Sequence, residues 1–411
     1  MREALVSLLR WAVQAIGVAA VFFSLFAAYS CVHTRRPPEP DRVDFTLGGP
    51  PVIRVGMSRW TGAPAIPLII AGPYRVLGSS GDVLAAGQGL PVVDVVATTA
   101  GLRAGETDLG AWDALFIPEQ DGTLAVDSRK YHGAVRIWSV AGGKVSAASE
   151  VDLETYIGGV IGSEMSASWP DAALMAQAIA ARTYAVWEMR RARVDGGRTD
   201  GVDVWDDERS QVYSGMENET SRLGDLVRKT RGAILAYDGR ILHAFYASTC
   251  GGRTEAAKVA LGGPDIAPLA GGPCTFCGGT RYSTWSVTVT ARELAAKLHP
   301  GLAETTVVRD LAVVERTPAG HAKALTYRLG EGAREVRIEA ADLRKALGGR
   351  VLKSTWFDVV AVPEGFRIDG RGFGHGVGMC QMGAKGMSDA GYDAMEILKY
   401  YYPGIDVVRI Y

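Results

Sequence analysis

The run Ala172-Ala-Leu-Met-Ala-Gln-Ala-Ile-Ala-Ala-Arg-Thr-Tyr-Ala-Val-Trp187 limits the possible folds more than any other stretch. It is rich in strong helix formers, and it is apolar on nearly every face. A helix on a protein surface keeps one polar side; this one must be wrapped by protein. Ser168-Trp-Pro-Asp predicts its start, with Ser168 as cap, Pro170 in the first turn and Asp171 complementing the dipole. The pattern runs to about Arg193 and stops near Gly196-Gly197. Arg182 sits in the middle of this run. A buried arginine is uncommon unless it is paired.

The elements around this helix point to an α+β fold. Residues 45–150 read as a β-rich module, with runs such as Val52-Ile-Arg-Val-Gly, Pro67-Leu-Ile-Ile-Ala and Ala134-Val-Arg-Ile-Trp cut by Gly, Pro, Asp and Ser. No catalytic constellation appears there, and a structural or docking role is expected. From Val151 the texture changes, and residues 151–411 read as a mixed α/β domain with a buried helix and a substrate cleft. A helical segment begins at Glu154–Ile161. Residues 290–360 read as an α/β insertion, with helices near Ala291–Leu298 and Ala340–Leu347. Two more helices are expected, from about Cys380 to Ala390 and near Ala394–Tyr402.

At the N-terminus, Trp11 to Ser30 holds no Asp, Glu, Lys or Arg. About 20 apolar residues span a bilayer as a helix, and a cleaved signal usually has a shorter apolar run. We therefore expect an uncleaved membrane anchor over residues 1–31, in preference to a cleaved signal, and an extended linker over 32–44. Only ten residues precede the run, so the bulk of the chain is expected outside the membrane. Lys plus Arg (44) nearly balances Asp plus Glu (45), which gives no reason to expect nucleic acid as a partner.

Two blocks carry the chemistry. The first is Leu153-Glu-Thr-Tyr-Ile-Gly-Gly-Val-Ile-Gly-Ser-Glu-Met-Ser-Ala-Ser-Trp-Pro, followed by the long helix. The second is Gly370-Arg-Gly-Phe-Gly-His-Gly-Val-Gly-Met-Cys-Gln-Met-Gly-Ala. It lacks the Gly-Lys-Ser/Thr ending of a phosphate-binding loop, so its glycines are better read as a close backbone approach. Together with Ser210-Gln-Val-Tyr, Ser248-Thr-Cys-Gly-Gly-Arg-Thr-Glu and Glu396-Ile-Leu-Lys-Tyr-Tyr-Tyr-Pro-Gly, these blocks resemble the stage II sporulation protein D family of peptidoglycan lytic transglycosylases, over roughly residues 130–405.

The resemblance implies that Glu164 is a catalytic acid/base that cleaves the MurNAc–GlcNAc bond and leaves a 1,6-anhydro ring. It implies that Arg182, Gln211, Tyr213, Ser248, His375 and Gln381 line a substrate cleft. It implies peptidoglycan glycan strands as partner and the bacterial cell envelope as location. No cofactor is expected for catalysis. The same family includes proteins described as amidase enhancers, so a non-catalytic glycan-binding activator of a cell-wall amidase is the rival reading. An acid of this kind needs a raised pKa, which apolar burial by Met165 and Trp169 could supply. A direct contact with Arg182 would lower it, so Arg182 is expected on substrate, on another carboxylate, or on Glu164 only after proton donation. No Gly-x-Ser-x-Gly or His-Glu-x-x-His motif supports an esterase or protease.

Cys274-Thr-Phe-Cys277 has the spacing of a zinc knuckle, and Cys250 lies in a neighbouring motif. A structural zinc would take Cys250, Cys274, Cys277 and either Cys380 or His243. Disulfides, favoured outside the cytoplasm, are the second reading, and free thiols the third.

Overall fold

The computed structural model describes residues 47–194, 201–302, 305–330 and 334–411. The expected anchor and linker, residues 1–44, lie outside the described residues. Among the described residues, no helix is long and apolar enough to cross a membrane.

The helices, in chain order, are α1 (Leu153–Glu164), α2 (Asp171–Val194), α3 (Ser221–Lys229), α4 (Ala257–Leu261), α5 (Ala291–Leu298), α6 (Ala340–Leu347), α7 (Gln381–Asp389) and α8 (Ala394–Tyr401). The β-rich segment forms most of an eleven-stranded sheet. Its alternating residues, such as Ile53, Val55, Leu68, Ile70, Val135 and Ile137, are buried on one core. The strand Val52–Gly56 pairs antiparallel with Lys144–Asp152 and parallel with the short strand Val204–Trp205. The sheet's strand Lys144–Asp152 runs without a loop into α1. Asp152 is the cap, accepting from the Glu154 and Thr155 amides at 3.1 Å each. No packing boundary falls at residue 150, because one hydrophobic core runs from Ile53 through α1 and α2 to Ile410.

Helix α2 is enclosed as its composition requires. It packs against α1, α3, α7, α8 and the strand Ala233–Tyr237. Its start departs from the expectation. The first helical bond runs from the Leu174 N–H to the Pro170 carbonyl at 3.2 Å. Ser168 pairs instead with the Ser166 hydroxyl at 2.9 Å in the preceding loop. Arg222 of α3 holds that loop by donating to the Trp169 carbonyl at 2.8 Å and to Asp171.

Arg182 is fully buried. Its guanidinium meets Glu154 in a two-pronged pair, Nε to Oε1 at 2.9 Å and Nη2 to Oε2 at 2.7 Å. It also donates to the Ala233 carbonyl at 3.1 Å. Glu154 in turn accepts from the Gly232 N–H at 3.1 Å and from the Tyr411 hydroxyl. Four separate parts of the chain thus meet on one ion pair.

The insertion has its own core, from Trp285 and Val289 through Leu325 and Leu343 to Phe357 and Ile368. It contains two three-stranded sheets and helices α5 and α6, whose bounds match the sequence expectation. Its first sheet pairs Trp285–Thr290 and Phe357–Val362 on either side of Gly365–Gly370. The chain leaves this sheet directly into the glycine-rich block.

Burial alone would raise the Glu154 pKa, but the hydrogen bonds and charge of Arg182, with Tyr411 and Gly232, bring it below its ordinary value of 4.5. Such a depressed carboxyl stabilises the fold above pH 4.5, and that share is lost as pH falls through the lower folded value. Replacing Arg182 by Met strands a buried carboxylate and is expected to cost about 3–5 kcal/mol in urea unfolding at pH 7. The Arg182→Met, Glu154→Gln double variant is expected to recover a large part of that loss.

Candidate active site

Glu164 is the last residue of α1. Two glycines on that helix set its surroundings. A Cβ on Gly159 would lie 2.6 Å from the Tyr213 ring, and one on Gly162 would clash with the Asn218 backbone. Their bareness lets the segment that carries Gln211, Val212 and Tyr213 lie flat on α1. This brings the Val212 N–H to Glu164 Oε1 at 3.0 Å. The other oxygen, Oε2, accepts from Gln381 Nε2 at 3.0 Å. Gln381 is the first residue of α7, so the carboxyl joins the two sequence blocks directly.

Burial pushes the Glu164 carboxyl above its ordinary 4.5, and the hydrogen bonds from Val212 and Gln381, which favour the ionised form, offset this only in part. No cation contributes. Arg182 is spent on Glu154, the other-carboxylate outcome among those expected for it, and being fully buried it faces no cleft in this structure. This corrects its assignment as a substrate contact. Met165 is buried and Trp169 packs on the same core.

Gln211 and Tyr213 also sit inside the protein, each about 1 % exposed. They were expected on substrate; instead they build the floor. Gln211 Oε1 accepts from the Tyr156 hydroxyl at 3.1 Å. Its Nε2 donates to the Tyr246 hydroxyl at 2.7 Å and to the Ala181 carbonyl at 3.2 Å. One side-chain amide thus ties α1, α2 and the short strand Tyr246–Ala247 together. Tyr213 stacks at a tilt on Tyr156, with ring centroids 5.1 Å apart. Tyr156 and Tyr246 both lie in the field of the Glu164 charge. No spacing in the sequence pointed to Tyr246, because a two-residue strand shows no periodicity.

The strand Tyr246–Ala247 pairs parallel with Met379–Cys380. The glycine block gets there by an unusual path. Gly372, Gly374, Gly376 and Gly378 all have positive φ, from +72° to +109°. Side chains rarely accept that conformation. The block lies along residues 245–255 of its own chain, with Thr249 and Phe373 exchanging amide bonds at 3.0 and 2.7 Å. Ser248 is partly exposed beside it, and its carbonyl accepts the Met382 N–H at 3.0 Å.

His375 is partly exposed. Its Nδ1 accepts the Val377 N–H at 3.0 Å. Burial lowers its pKa to about 4, against a backbone hydrogen bond with Tyr246 that works the other way. It is therefore a neutral imidazole at pH 7, held next to Tyr246 and edge-on to Phe245 at 6.1 Å. His243 sits elsewhere, stacked on Trp187 at 3.6 Å with Nε2 3.2 Å from Glu188. Cys250, Cys274, Cys277 and Cys380 converge without it, with their sulfurs within 4.8 Å of one another.

This arrangement defines a class: an α+β protein with a single carboxyl, set in a neutral polar and aromatic surround where two distant blocks meet. The comparisons with known proteins name the lineage. The family model for stage II sporulation protein matches residues 141–237, and a domain of unknown function matches residues 278–378. Stage II sporulation protein D of Bacillus subtilis (strain 168) is 32% identical over 269 residues, covering 62% of this chain and 74% of the relative. An uncharacterized protein of Brachyspira hyodysenteriae (strain ATCC 49526 / WA1) is 30% identical over 341 residues, covering 82% and 88%. The Amidase enhancer of Bacillus subtilis (strain 168) is 28% identical over 288 residues, covering 60% of this chain but only 39% of that protein. The chain belongs to the stage II sporulation protein D family.

A raised carboxyl pKa means that the folded state favours the protonated form. Its stabilising share is complete below pH 4.5 and fades as pH rises through the higher folded value. Glu164→Gln is therefore expected to gain thermal stability relative to the wild type between pH 5 and 8, compared with their difference at about pH 4. Gln381→Ala removes a donor to the ionised form, so its own loss of stability with rising pH should extend to higher pH. Thermal unfolding midpoints across that range check both.

Proposed function

We propose that this protein is a peptidoglycan lytic transglycosylase in which Glu164 acts first as acid and then as base. The observation that carries the reading is the state of Glu164: raised by burial, free of any cation, and held by two neutral donors. Such a carboxyl keeps its proton to higher pH than an exposed one, as an acid catalyst requires.

In the proposed reaction, protonated Glu164 donates to the oxygen joining N-acetylmuramic acid to N-acetylglucosamine. The C1–O bond breaks as C1 takes on oxocarbenium character. The Glu164 carboxylate, stabilised at that moment by Val212 and Gln381, then takes the proton of the C6 hydroxyl on the same sugar. The freed oxygen bonds to C1 and closes the 1,6-anhydro ring. Glu164 ends protonated, ready for another cycle. The nucleophile belongs to the substrate, so one carboxyl suffices. Gln381 is the side chain best placed to follow the change in charge, and His375, neutral beside Tyr246, is a candidate to hold the glycan. A glycan substrate puts the site of action in the bacterial cell envelope. Catalysis of this kind calls on no metal or organic cofactor.

The similarity to a protein named Amidase enhancer favours a second reading, in which the same cleft binds glycan and activates a cell-wall amidase without cutting. Mass spectrometry of products from purified sacculi and from denuded glycan separates the two. The enzymatic reading expects anhydro-muropeptides or anhydro-disaccharides from the wild type, and at least a ~100-fold lower rate from Glu164→Gln. Release by the variant at the wild-type rate would overturn the role of Glu164. No anhydro product from the wild type, with a partner amidase accelerated in the same assay, would establish the second reading.

A further inference from the structure

We propose that Cys250, Cys274, Cys277 and Cys380 form a tetrathiolate zinc site that clamps the start of α7 and so fixes the approach of Gln381 to Glu164. The four residues come from three separate stretches of chain, yet their sulfurs all lie within 4.8 Å of one another. Each is 1–3 % exposed. Cys250 and Cys277 have their sulfurs 3.6 Å apart, and all four thiols are free.

These distances match a mononuclear ion. Zinc–sulfur bonds of about 2.3 Å at tetrahedral angles put the sulfurs roughly 3.8 Å apart. Four sulfurs facing one centre are what a single ion needs, whereas two disulfides would draw them together as pairs. A two- or four-iron cluster would spread them, because its irons divide the four thiolates between separate centres. With four thiolates and no open position, the site is closed and structural.

The surroundings supply donors to sulfur, as thiolate ligands require. Cys380 Sγ accepts the Cys250 N–H and the Gly383 N–H, each at 3.3 Å. It caps α7, where the helix dipole favours negative charge. The Tyr401 hydroxyl lies 3.2 Å from Cys274 Sγ, in the position of an outer-shell donor. Gly383 leaves room for this packing: a Cβ there would sit 2.8 Å from Cys274 Sγ. Binding takes four thiols to thiolates and releases their protons, with no change of oxidation state.

The role in the cleft follows from chain order. Cys380 is a ligand and the cap of α7; Gln381, the next residue, donates to Glu164 Oε2. The ion also joins Cys250, three residues past the strand Tyr246–Ala247 that carries Tyr246, to the same helix start. The site therefore ties the start of α7 to residues 250–277. This role for Gln381 rests on the Glu164 reading, whereas the metal site itself does not.

The test uses the full-length chain, purified without a metal-affinity step. Elemental analysis is expected to find about one zinc per chain, and mass spectrometry after denaturing alkylation is expected to find all four thiols modified and no disulfide. Cys277→Ser should lose most of the zinc, while Cys31→Ser should keep it. Exchange with cobalt(II) should give the intense visible bands of a tetrahedral tetrathiolate, a readout that holds whether or not the protein cuts glycan. Two disulfides among these cysteines, stoichiometric iron, or a chain that carries no metal with all four thiols reduced would each overturn the proposal.

Discussion

The pairing of Arg182 with Glu154 is the interaction on which the rest of the architecture turns. A fully buried guanidinium in the middle of a helix cannot stay without a carboxylate. Here the carboxylate comes from the first turn of α1, and the backbone of residues 232 and 233 and the C-terminal Tyr411 complete its shell. The pair fixes how α1 lies on α2. It also spends the cation at one end of α1, ten residues and about 15 Å along the axis from Glu164. A neutralised pair at that distance leaves the acid at the other end to be governed by burial and by uncharged donors.

The second constraint is backbone proximity. Gly159 and Gly162 let one loop lie on α1, and the alternate left-handed glycines of the second block let another segment lie along residues 245–255. Both serve the protein's own packing, and both end by delivering a donor to the same carboxyl. Gln211 then locks the floor from beneath through two tyrosines. The site is thus a set of neutral dipoles around the Glu164 carboxyl, with aromatic rings closing its lower face.

Much of this was legible in the residues. The all-round apolar pattern of α2 demanded enclosure, and the two helices of the insertion were visible to the residue because Thr290 and Gly348 punctuate them. The cysteines were visible as a set, though spacing alone left Cys380 and His243 level; the strand pairing of residues 379–380 beside 246–247 puts the sulfur in the cluster. The inward aim of Gln211 and Tyr213 was not legible. In a short irregular segment, a one-residue shift in register sends a side chain to the opposite face. Ser168 misled for a related reason: a hydroxyl ahead of a helical run can cap it or close its own turn, and here the helix starts three residues later while Ser166 offered the turn. The β-rich segment read as a separate module because composition changes at residue 151, while the core it shares with α1 and α2 depends on contacts far apart in sequence.

The central claim is that Glu164 is a carboxyl held protonated beyond the range of an ordinary glutamate. Titration of the glutamate side-chain carbons by 13C NMR, with the Glu164 signal assigned by its loss in Glu164→Gln, measures this directly. The account predicts a midpoint above 4.5 for that signal. A midpoint at or below 4.5 would mean that the two hydrogen bonds outweigh burial, and the acid role would have no basis in this site.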